Sequence, residues 1–201
     1  MNLIWLILCC IVPLSYGIDR TKLWKIQQPM KGVQLPKLLG QWYVTYQFTS
    51  NSWAGTQEFK DYEIFLSTTT PKGMMAIKTF RQNGICNTIV SKSKHLFPPG
   101  AFLHREILGS QIEGMEVVLS TDYKTYMIMA GCDRITITGD SCEDGYLNIR
   151  TRMPHPNKFV IQQINEVLMK HYGATVDHIQ TVIHNKPCKK QSVVCPNGKW
   201  W

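Results

Sequence analysis

The cysteines are the residues whose spacing says most about the chemistry open to this chain. Those that follow the apolar amino-terminal stretch are Cys86, Cys132, Cys142, Cys188 and Cys195. None of them forms the Cys-x-x-Cys spacing that holds zinc, so disulfide formation in an oxidising compartment is the first expectation. Five such thiols form at most two intramolecular bonds, which leaves one over. Cys132 and Cys142 flank a predicted turn and can pair across it, whereas Cys195 is either the odd thiol or the partner of another cysteine.

No catalytic constellation stands out among the other residues. There is no Ser, His and Asp arrangement and no paired-carboxylate site, so the sequence predicts neither an enzyme nor a bound cofactor. Lys and Arg number 22 against 14 Asp and Glu, giving a formal net charge of +8. These charges are scattered rather than blocked, which indicates a solvated surface. No helix-turn-helix, zinc-finger or aromatic-basic signature indicates nucleic-acid binding.

Residues 1–17 have the features of a secretory signal peptide. The apolar run in residues 2–14 is too short to span a bilayer comfortably, and Ser15 and Gly17 are small residues at the positions a signal peptidase reads. A membrane anchor is the alternative. We predict a signal peptide at 1–17, one barrel domain at 18–188 and a basic, aromatic tail at 189–201. The protein is therefore expected to be secreted and extracellular.

Short strands dominate the region from Gln41 to Ile183, which one helical segment interrupts. Turn-forming residues separate them, among them Asn83-Gly84, a pair typical of a tight hairpin. Eight such strands at even spacing predict a sandwich or an up-and-down barrel. The predicted strands are Gln41–Phe48, Glu58–Leu66, Met74–Arg81, Ile85–Lys92, Ala101–Ile107, Met115–Ser120, Lys124–Ala130 and Gly145–Arg152.

One helix is predicted after the strands, at Asn157–Tyr172. Pro156 stands at its start, where a missing amide hydrogen costs little, and Gly173 stops it. An apolar stripe at helical spacing needs a surface to cover, which the outside of a barrel supplies. The stripe consists of Phe159, Ile161, Ile164, Val167, Leu168 and Tyr172.

Three short motifs follow one another along the predicted strands. Gly40-Gln41-Trp42 opens the first strand, Thr121-Asp122-Tyr123 joins the sixth to the seventh, and Arg152 lies near the end of the eighth. This ordered set, with a helix after it, resembles the signature segments of the lipocalins, and in particular secreted lipocalins of the apolipoprotein D and retinol-binding-protein type. The resemblance covers nearly the whole chain after residue 17. It implies an all-β fold, an eight-stranded antiparallel up-and-down β-barrel with one carboxy-terminal α-helix packed on the outside.

The resemblance also implies structural roles for the motif residues. Trp42 would plug the narrow end of the barrel, and Gly40 would let the chain turn sharply beneath it. Arg152 would lie across the Trp42 face in a cation–π contact. Asp122 and Thr121 would bond free amides in the turn at the same end.

A disulfide pairing follows from the same resemblance. Cys86 looks like the lipocalin strand cysteine that is tied to the carboxy-terminal segment, and Cys188 looks like its partner. Cys132 and Cys142 would then form the second bond and leave Cys195 over. Cys195 can instead replace either partner, and the sequence leaves that choice open.

Strand alternation predicts the lining of the barrel once Trp42 is taken to point inward. The alternative is that these side chains simply fill a packed core, for which an eight-stranded barrel is equally wide enough. Lys78, if inward, can pair with a ligand carboxylate; Lys92, Lys94, His104 and Arg105 can do so near the mouth. The predicted ligand-binding residues are Val44, Tyr46, Phe48, Tyr62, Ile64, Leu66, Lys78, Phe80, Tyr126 and Ile128, with Ala76 on the same face.

The resemblance implies a secreted carrier of a small hydrophobic ligand. Fatty acids, retinoids and sterol-like lipids all suit an aromatic and aliphatic tunnel, and a cell-surface receptor is a second expected partner. Membrane contact is expected only through the tail, and the assembly is expected to be a monomer or weak dimer. The tail residues that suit a membrane interface are Lys189, Lys190, Lys199, Trp200 and Trp201.

Two other functions known among lipocalins remain as alternatives. One branch isomerises prostaglandins with a cavity cysteine, but alignment on Gly40 and Trp53 puts Ile64 at that position, and an aliphatic side chain cannot replace a thiolate. A haem or metal carrier would need an inward axial histidine, for which His95 and His104 are the candidates.

Overall fold

The chain forms a closed antiparallel β-barrel with one helix on its outside. The computed structural model describes residues 30–49, 58–70, 73–95, 102–108, 113–135 and 142–189. Within them, one sheet has the strand order β2-β3-β4-β5-β6-β7-β8-β1-β9, and the additional pairing of β1 with β2 closes it. The predicted fold class is confirmed. The strands are β1 Gly40–Thr49, β2 Phe59–Thr70, β3 Gly73–Gln82, β4 Ile85–His95, β5 Phe102–Ile107, β6 Glu113–Thr121, β7 Tyr126–Ile135, β8 Cys142–Thr151 and β9 Gln180–Thr181.

Consecutive strands from β2 to β8 pair antiparallel with their neighbours, as a meander requires. The tight turn between β3 and β4 is the predicted Asn83-Gly84 pair, with φ of 52° and 80°. Two consecutive residues with positive φ match the right-handed twist of the strands, and Asn and Gly are the residues that tolerate this conformation. Local turn chemistry therefore sets this hairpin.

β1 is the strand that closes the barrel, and it changes partner along its length. Its first half pairs with β2, from Gly40 opposite Leu66 to Tyr43 opposite Glu63. Beyond that point β9 lies beside β1, with Tyr46 opposite Thr181. Since β9 follows the helix, the carboxy-terminal segment completes the wall where β1 and β2 separate.

Two disulfides link separate parts of the described chain. Cys86 at the start of β4 is bonded to Cys188, which holds the segment after β9 against the barrel. Cys132 of β7 is bonded to Cys142 of β8. Both expected pairings are present in the structure. Cys195 lies outside the described residues.

The helix α1, Lys158–Tyr172, begins and ends at the predicted signals. The Asn157 side chain accepts hydrogen bonds from the amides of Phe159 and Val160, and the helix ends at Gly173. Its buried residues, Ile164, Leu168 and Tyr172, face the barrel. None of the helices among the described residues is long and apolar enough to cross a membrane.

Most of the buried apolar side chains fall into two clusters on opposite faces of the sheet. The outer cluster lies between the barrel and α1, and the inner cluster lies inside the barrel. The outer cluster consists of Val117, Leu119, Tyr126, Ile128, Ala130, Leu147, Ile149, Ile164, Leu168, Tyr172, Ala174, Val176 and Ile179. The inner cluster consists of Leu38, Trp42, Val44, Ile64, Leu66, Met74, Ala76, Val118, Met127, Met129 and Val182.

Candidate functional site: the barrel interior

Trp42 seals one end of the barrel. It is fully buried, and its indole Nε1 donates a hydrogen bond of 2.6 Å to the carbonyl oxygen of Leu38. Leu38 ends a short 3-10 helix, Leu35–Leu38, that leads into β1. The chain enters the strand through Gly40 with φ of 96°, a conformation that favours glycine. We call this region, with Arg152 and the β6–β7 turn, the closed end.

Arg152 covers the outer face of this indole. Its guanidinium carbon lies 3.6 Å from the centroid of the Trp42 ring. Its Nη1 donates to the carbonyl oxygen of Gln41 at 2.8 Å, and its Nη2 reaches the carbonyl oxygens of Tyr123 at 3.3 Å and Lys37 at 3.4 Å. The predicted cation–π contact is therefore present, and three backbone carbonyls hold the charge in place.

The turn between β6 and β7 is organised by Asp122 and Thr121. The Asp122 carboxylate accepts hydrogen bonds from the amides of Lys124, Thr125 and Tyr126 and from the Thr125 hydroxyl. Burial opposes its ionisation, but these hydrogen bonds outweigh burial and hold the pKa of Asp122 below its ordinary value. The Thr121 hydroxyl donates to the Tyr126 carbonyl oxygen at 2.7 Å. The Asp122 carboxylate and the Thr121 hydroxyl thus both have hydrogen-bond partners within the turn.

The wall above Trp42 is largely apolar. Ile64 and Leu66 of β2 and Met74 and Ala76 of β3 are buried in the inner cluster, as alternation from Trp42 predicts for β2 and β3. Towards the other end of these strands, three aromatic rings meet. The Phe80 centroid lies 5.1 Å from that of Phe59 and 5.3 Å from that of Tyr62. The inward positions predicted on β2 and β3 agree with this arrangement.

The predicted orientation of Tyr46 and Phe48 is wrong. The register between β1 and β8 shifts between Val44 and Tyr46, which is a β-bulge at Thr45. Because one extra residue reverses the alternation, Tyr46 and Phe48 pack against the outer cluster, while Val44 stays in the inner one.

The predicted orientation of Tyr126 and Ile128 is also wrong. Both are buried in the outer cluster beneath α1, and the adjacent Met127 and Met129 belong to the inner cluster. β7 is apolar on both faces because one face lines the barrel and the other receives the helix. Alternation alone could not choose between them.

A buried polar cluster crosses the barrel interior. The Lys78 Nζ of β3 lies 3.6 Å from Oε1 of Glu116 on β6, and each side chain is only 6% exposed. The Tyr146 hydroxyl of β8 donates to the same carboxylate oxygen at 2.5 Å. Two strands separate β3 from β6 in the sheet, so the pair connects strands that are not neighbours. Lys78 points inward as predicted, but a carboxylate of the protein itself faces it.

Gly131 of β7 makes room for the tyrosine of this cluster. A Cβ atom at Gly131 would lie 2.0 Å from Cζ of Tyr146, closer than any real contact. Gly131 and Tyr146 are directly paired across β7 and β8. The ring therefore occupies the space that a side chain at position 131 would need.

Arg150 is the second cation of the interior. It is paired with Val44 of β1 and Met127 of β7, both in the inner cluster, and cross-strand partners share a face of the sheet. Its side chain is therefore inward, and the residue is 2% exposed. Among the described residues, neither its Nε nor its Nη2 has a hydrogen-bond partner.

Sequence reasoning missed Glu116, Tyr146 and Arg150. A signal for two of them exists in Tyr146-Leu147-Asn148-Ile149-Arg150, which alternates polar and apolar residues. Such alternation is normally polar outward, but α1 covers the outside of β8, so the polar members face inward. Glu116 is the one charged residue of the predicted strand Met115–Ser120, and such an apolar stretch is an unusual place for a solvated charge.

Other predicted site residues are less fully described. Lys92 and Lys94 are exposed on β4, and the side chains of His95, His104 and Arg105 lie outside the described part of the structure. No group of three or more His, Cys, Asp or Glu that could hold a metal is found among the described residues. Ile64, at the position aligned with the isomerase cysteine, is a fully buried member of the inner cluster.

Comparison with known proteins gives matches in structure but not in sequence. No family model and no curated protein sequence matches the chain. Among solved structures, the major allergen Per a 4 from cockroaches has a TM-score of 0.61 and 19% identity, over 80% of this chain and 94% of that chain. Lobster apocrustacyanin A1 has a TM-score of 0.60 and 15% identity, over 79% of this chain and 91% of that chain.

A third structure is that of an amine-binding protein in complex with tryptamine. This protein of Rhodnius prolixus has a TM-score of 0.59 and 12% identity, over 76% of this chain and 82% of that chain. At such identities the likeness establishes the fold, and the ligand of this chain must be argued from its own residues.

Proposed function

This chain has the lipocalin fold, and we propose that it is a secreted carrier of a small, mainly apolar ligand held inside the barrel. The observation that carries the proposal is the division of its buried apolar residues into two clusters. The outer cluster packs the helix, whereas the inner one lies inside the barrel, which Trp42 and Arg152 seal at one end. An apolar concave wall with a few polar groups is the usual form of a small-molecule site.

The fold neighbours support a small-ligand role. The structure of the Rhodnius prolixus protein is described as a tryptamine complex, and another neighbour, a siderocalin, is described as having dual ligand specificities. For the present chain, the aliphatic and methionine side chains of the inner cluster suit a fatty acid, a retinoid or a sterol-like lipid.

Secretion is part of the same proposal. Two disulfides join described residues, and disulfides persist chiefly in oxidising compartments. The predicted signal peptide at residues 1–17 is consistent with export. A cell-surface receptor and a monomeric or weakly dimeric state are further expectations, which analytical ultracentrifugation and cell-binding assays can address.

Titration with N-phenyl-1-naphthylamine, a neutral fluorescent probe, tests the proposal. We expect saturable binding that a fatty acid, a retinoid or a sterol displaces. Ala76→Phe, on the inner face of β3, should weaken probe binding about tenfold because the added ring occupies the interior.

The matched control is Ile77→Phe, which adds a ring to the opposite face of the same strand and should leave binding unchanged. If neither the probe nor any of the three lipid classes binds the wild-type protein, its own side chains fill the tube and the proposal fails.

A further inference from the structure

We propose that Arg150 is an anion-binding group inside the barrel and that the ligand is an amphipathic acid whose carboxylate binds there, close to the closed end. This inference rests on the proposed carrier function and specifies the chemistry of its ligand. It begins from the two guanidinium nitrogens of Arg150 that lack partners within the described structure.

The other buried charges are already compensated. Among the described residues, the buried charged side chains besides Arg150 are Asp61, Lys78 and Glu116. Asp61 accepts from Arg81 Nε at 3.1 Å and from the backbone amides of Asn185 and Lys186. Lys78 and Glu116 face each other. Arg150 differs from all three, since two of its donors are buried and have no partner within the described part of the chain.

An unpaired buried charge is costly in a folded protein. Transfer of an ion out of water is repaid only by an opposite charge or by hydrogen bonds to its donors. A guanidinium cannot escape this cost by losing its proton, because arginine stays charged in proteins. A group that supplies negative charge at this position therefore has a specific and favourable place to bind.

The two unpaired atoms define the shape of that group. The Nε and Nη2 hydrogens lie along one edge of the guanidinium and point in parallel directions. This edge matches the two oxygens of a carboxylate, which accepts both hydrogen bonds at once. A compact anion with two coplanar acceptors is therefore favoured over a single-atom acceptor such as an alcohol.

The surroundings of Arg150 define the rest of the ligand. Its cross-strand partners are Val44 and Met127, and it lies two residues before Arg152, which covers the floor. Apolar side chains of the inner cluster line the wall beyond it. A ligand with its carboxylate at Arg150, near the closed end, and its apolar body against the inner cluster matches both the charge and the apolar side chains.

The test compares acids with their alcohols, using displacement of N-phenyl-1-naphthylamine at neutral pH. Dodecanoate is paired with dodecanol, and retinoic acid with retinol, so the two arms separate straight-chain from ring-bearing acids. We expect the wild-type protein to bind at least one acid about tenfold or more tightly than its alcohol. Arg150→Met should remove this preference and keep binding of the alcohol.

Lys124→Met is the matched control. It removes one positive charge from an exposed position in the β6–β7 turn, outside the same end of the barrel. The preference for the acid should be unchanged in this variant, which excludes a simple effect of net charge.

Several results would overturn the inference. Equal affinity of the wild-type protein for each acid and its alcohol sinks the role of Arg150 but leaves the carrier function intact, and this comparison needs no variant to fold. A preference that survives Arg150→Met but vanishes when Lys78→Met and Glu116→Gln are combined assigns the carboxylate to Lys78. Failure of the probe, the acids and the alcohols to bind at all rejects the carrier function itself.

Discussion

Arg152 at the closed end lies over an indole and contacts three backbone carbonyls, whereas Arg150, two residues earlier, is buried and has two nitrogens without a partner among the described residues. Both residues belong to the end of β8 and its continuation, and both approach the inner cluster. Backbone carbonyls and an indole surround the Arg152 guanidinium, whereas the described part of the chain offers no partner to Nε and Nη2 of Arg150. The closed end thus compensates its own cation, whereas the buried donors of Arg150 are the ones to which we assign the carboxylate of the proposed ligand.

Within the barrel interior, the Lys78–Glu116 pair differs from Arg150 in the same way as Arg152 does, because its two charges compensate each other. It brings opposite charges from β3 and β6 together, with Tyr146 bonded to the carboxylate. Buried ion pairs add little net stability compared with apolar residues of the same size, but removal of one partner is expensive. Substitutions should therefore lower stability at the compensated charges but not at Arg150.

The largest expected effect is that of Lys78→Met. It leaves the Glu116 carboxylate buried without its cation, which should lower the free energy of unfolding by about 3 to 5 kcal/mol. Urea denaturation followed by circular dichroism measures this change. Combining Lys78→Met with Glu116→Gln should restore most of the loss, because glutamine still accepts from Tyr146. A double variant as unstable as the single one would contradict the pairing.

Methionine substitution should destabilise the protein at Arg152 but not at Arg150. Arg152→Met loses the cation–π contact and the carbonyl hydrogen bonds, and should destabilise the protein by about 2 to 3 kcal/mol. Arg150→Met removes a buried charge of which two donors lack a partner in the described structure, and it should leave stability unchanged or raise it. The same denaturation experiment, done without ligand, compares them. Equal destabilisation of both variants would mean that the protein satisfies Arg150 as fully as Arg152.

Alanine substitutions at two glycines distinguish backbone strain from lack of space. Gly131→Ala should cost about 1 to 3 kcal/mol because the methyl group displaces the Tyr146 ring. The cost should largely disappear in a Tyr146→Ala background, which a double-mutant cycle measures. Gly40→Ala should cost about 1 to 2 kcal/mol through its φ of 96° in either background. Rescue of Gly40→Ala by the same tyrosine change would contradict this distinction.

The smallest expected effect is the acid sensitivity of the closed end. The pKa of Asp122 is held below its ordinary value of 3.8, so its contribution to stability is complete above that value and is lost as the pH falls through the folded-state pKa. Asp122→Asn should therefore flatten the dependence of unfolding free energy on pH below about 4. Part of the dependence should remain, because Asp61 also has a lowered pKa. An unchanged slope would show that Asp122 is not bonded as described.

The closed end could be predicted from the sequence because its contacts are made by short motifs. In a meander, the order of the motifs along the chain places them at the same end of the barrel, where their residues contact one another. These residues are Gly40, Trp42, Asp122 and Arg152. The sequence also predicted the hairpin at Asn83-Gly84 and the helix from Lys158 to Tyr172, because their turn and capping signals are local.

The lining of the barrel could be predicted only in part. The alternation of inward and outward side chains holds along β2 and β3. On β1 the bulge at Thr45 reverses the alternation for the residues that follow it, and no local sequence signal predicts this bulge. On β7 both faces are apolar, so the choice between Tyr126 and Met127 depends on where α1 packs. Glu116 and Lys78 meet across the barrel, and such a contact depends on the closure of the whole sheet.

The most direct test of the account is a crystal structure of the protein grown with 12-bromododecanoic acid. The account predicts density for the acid inside the barrel, with the carboxylate on the Nε and Nη2 edge of Arg150 and the bromine anomalous peak farther along the tube. An interior occupied by the protein's own side chains, with the acid absent or bound on the outer surface, would contradict it.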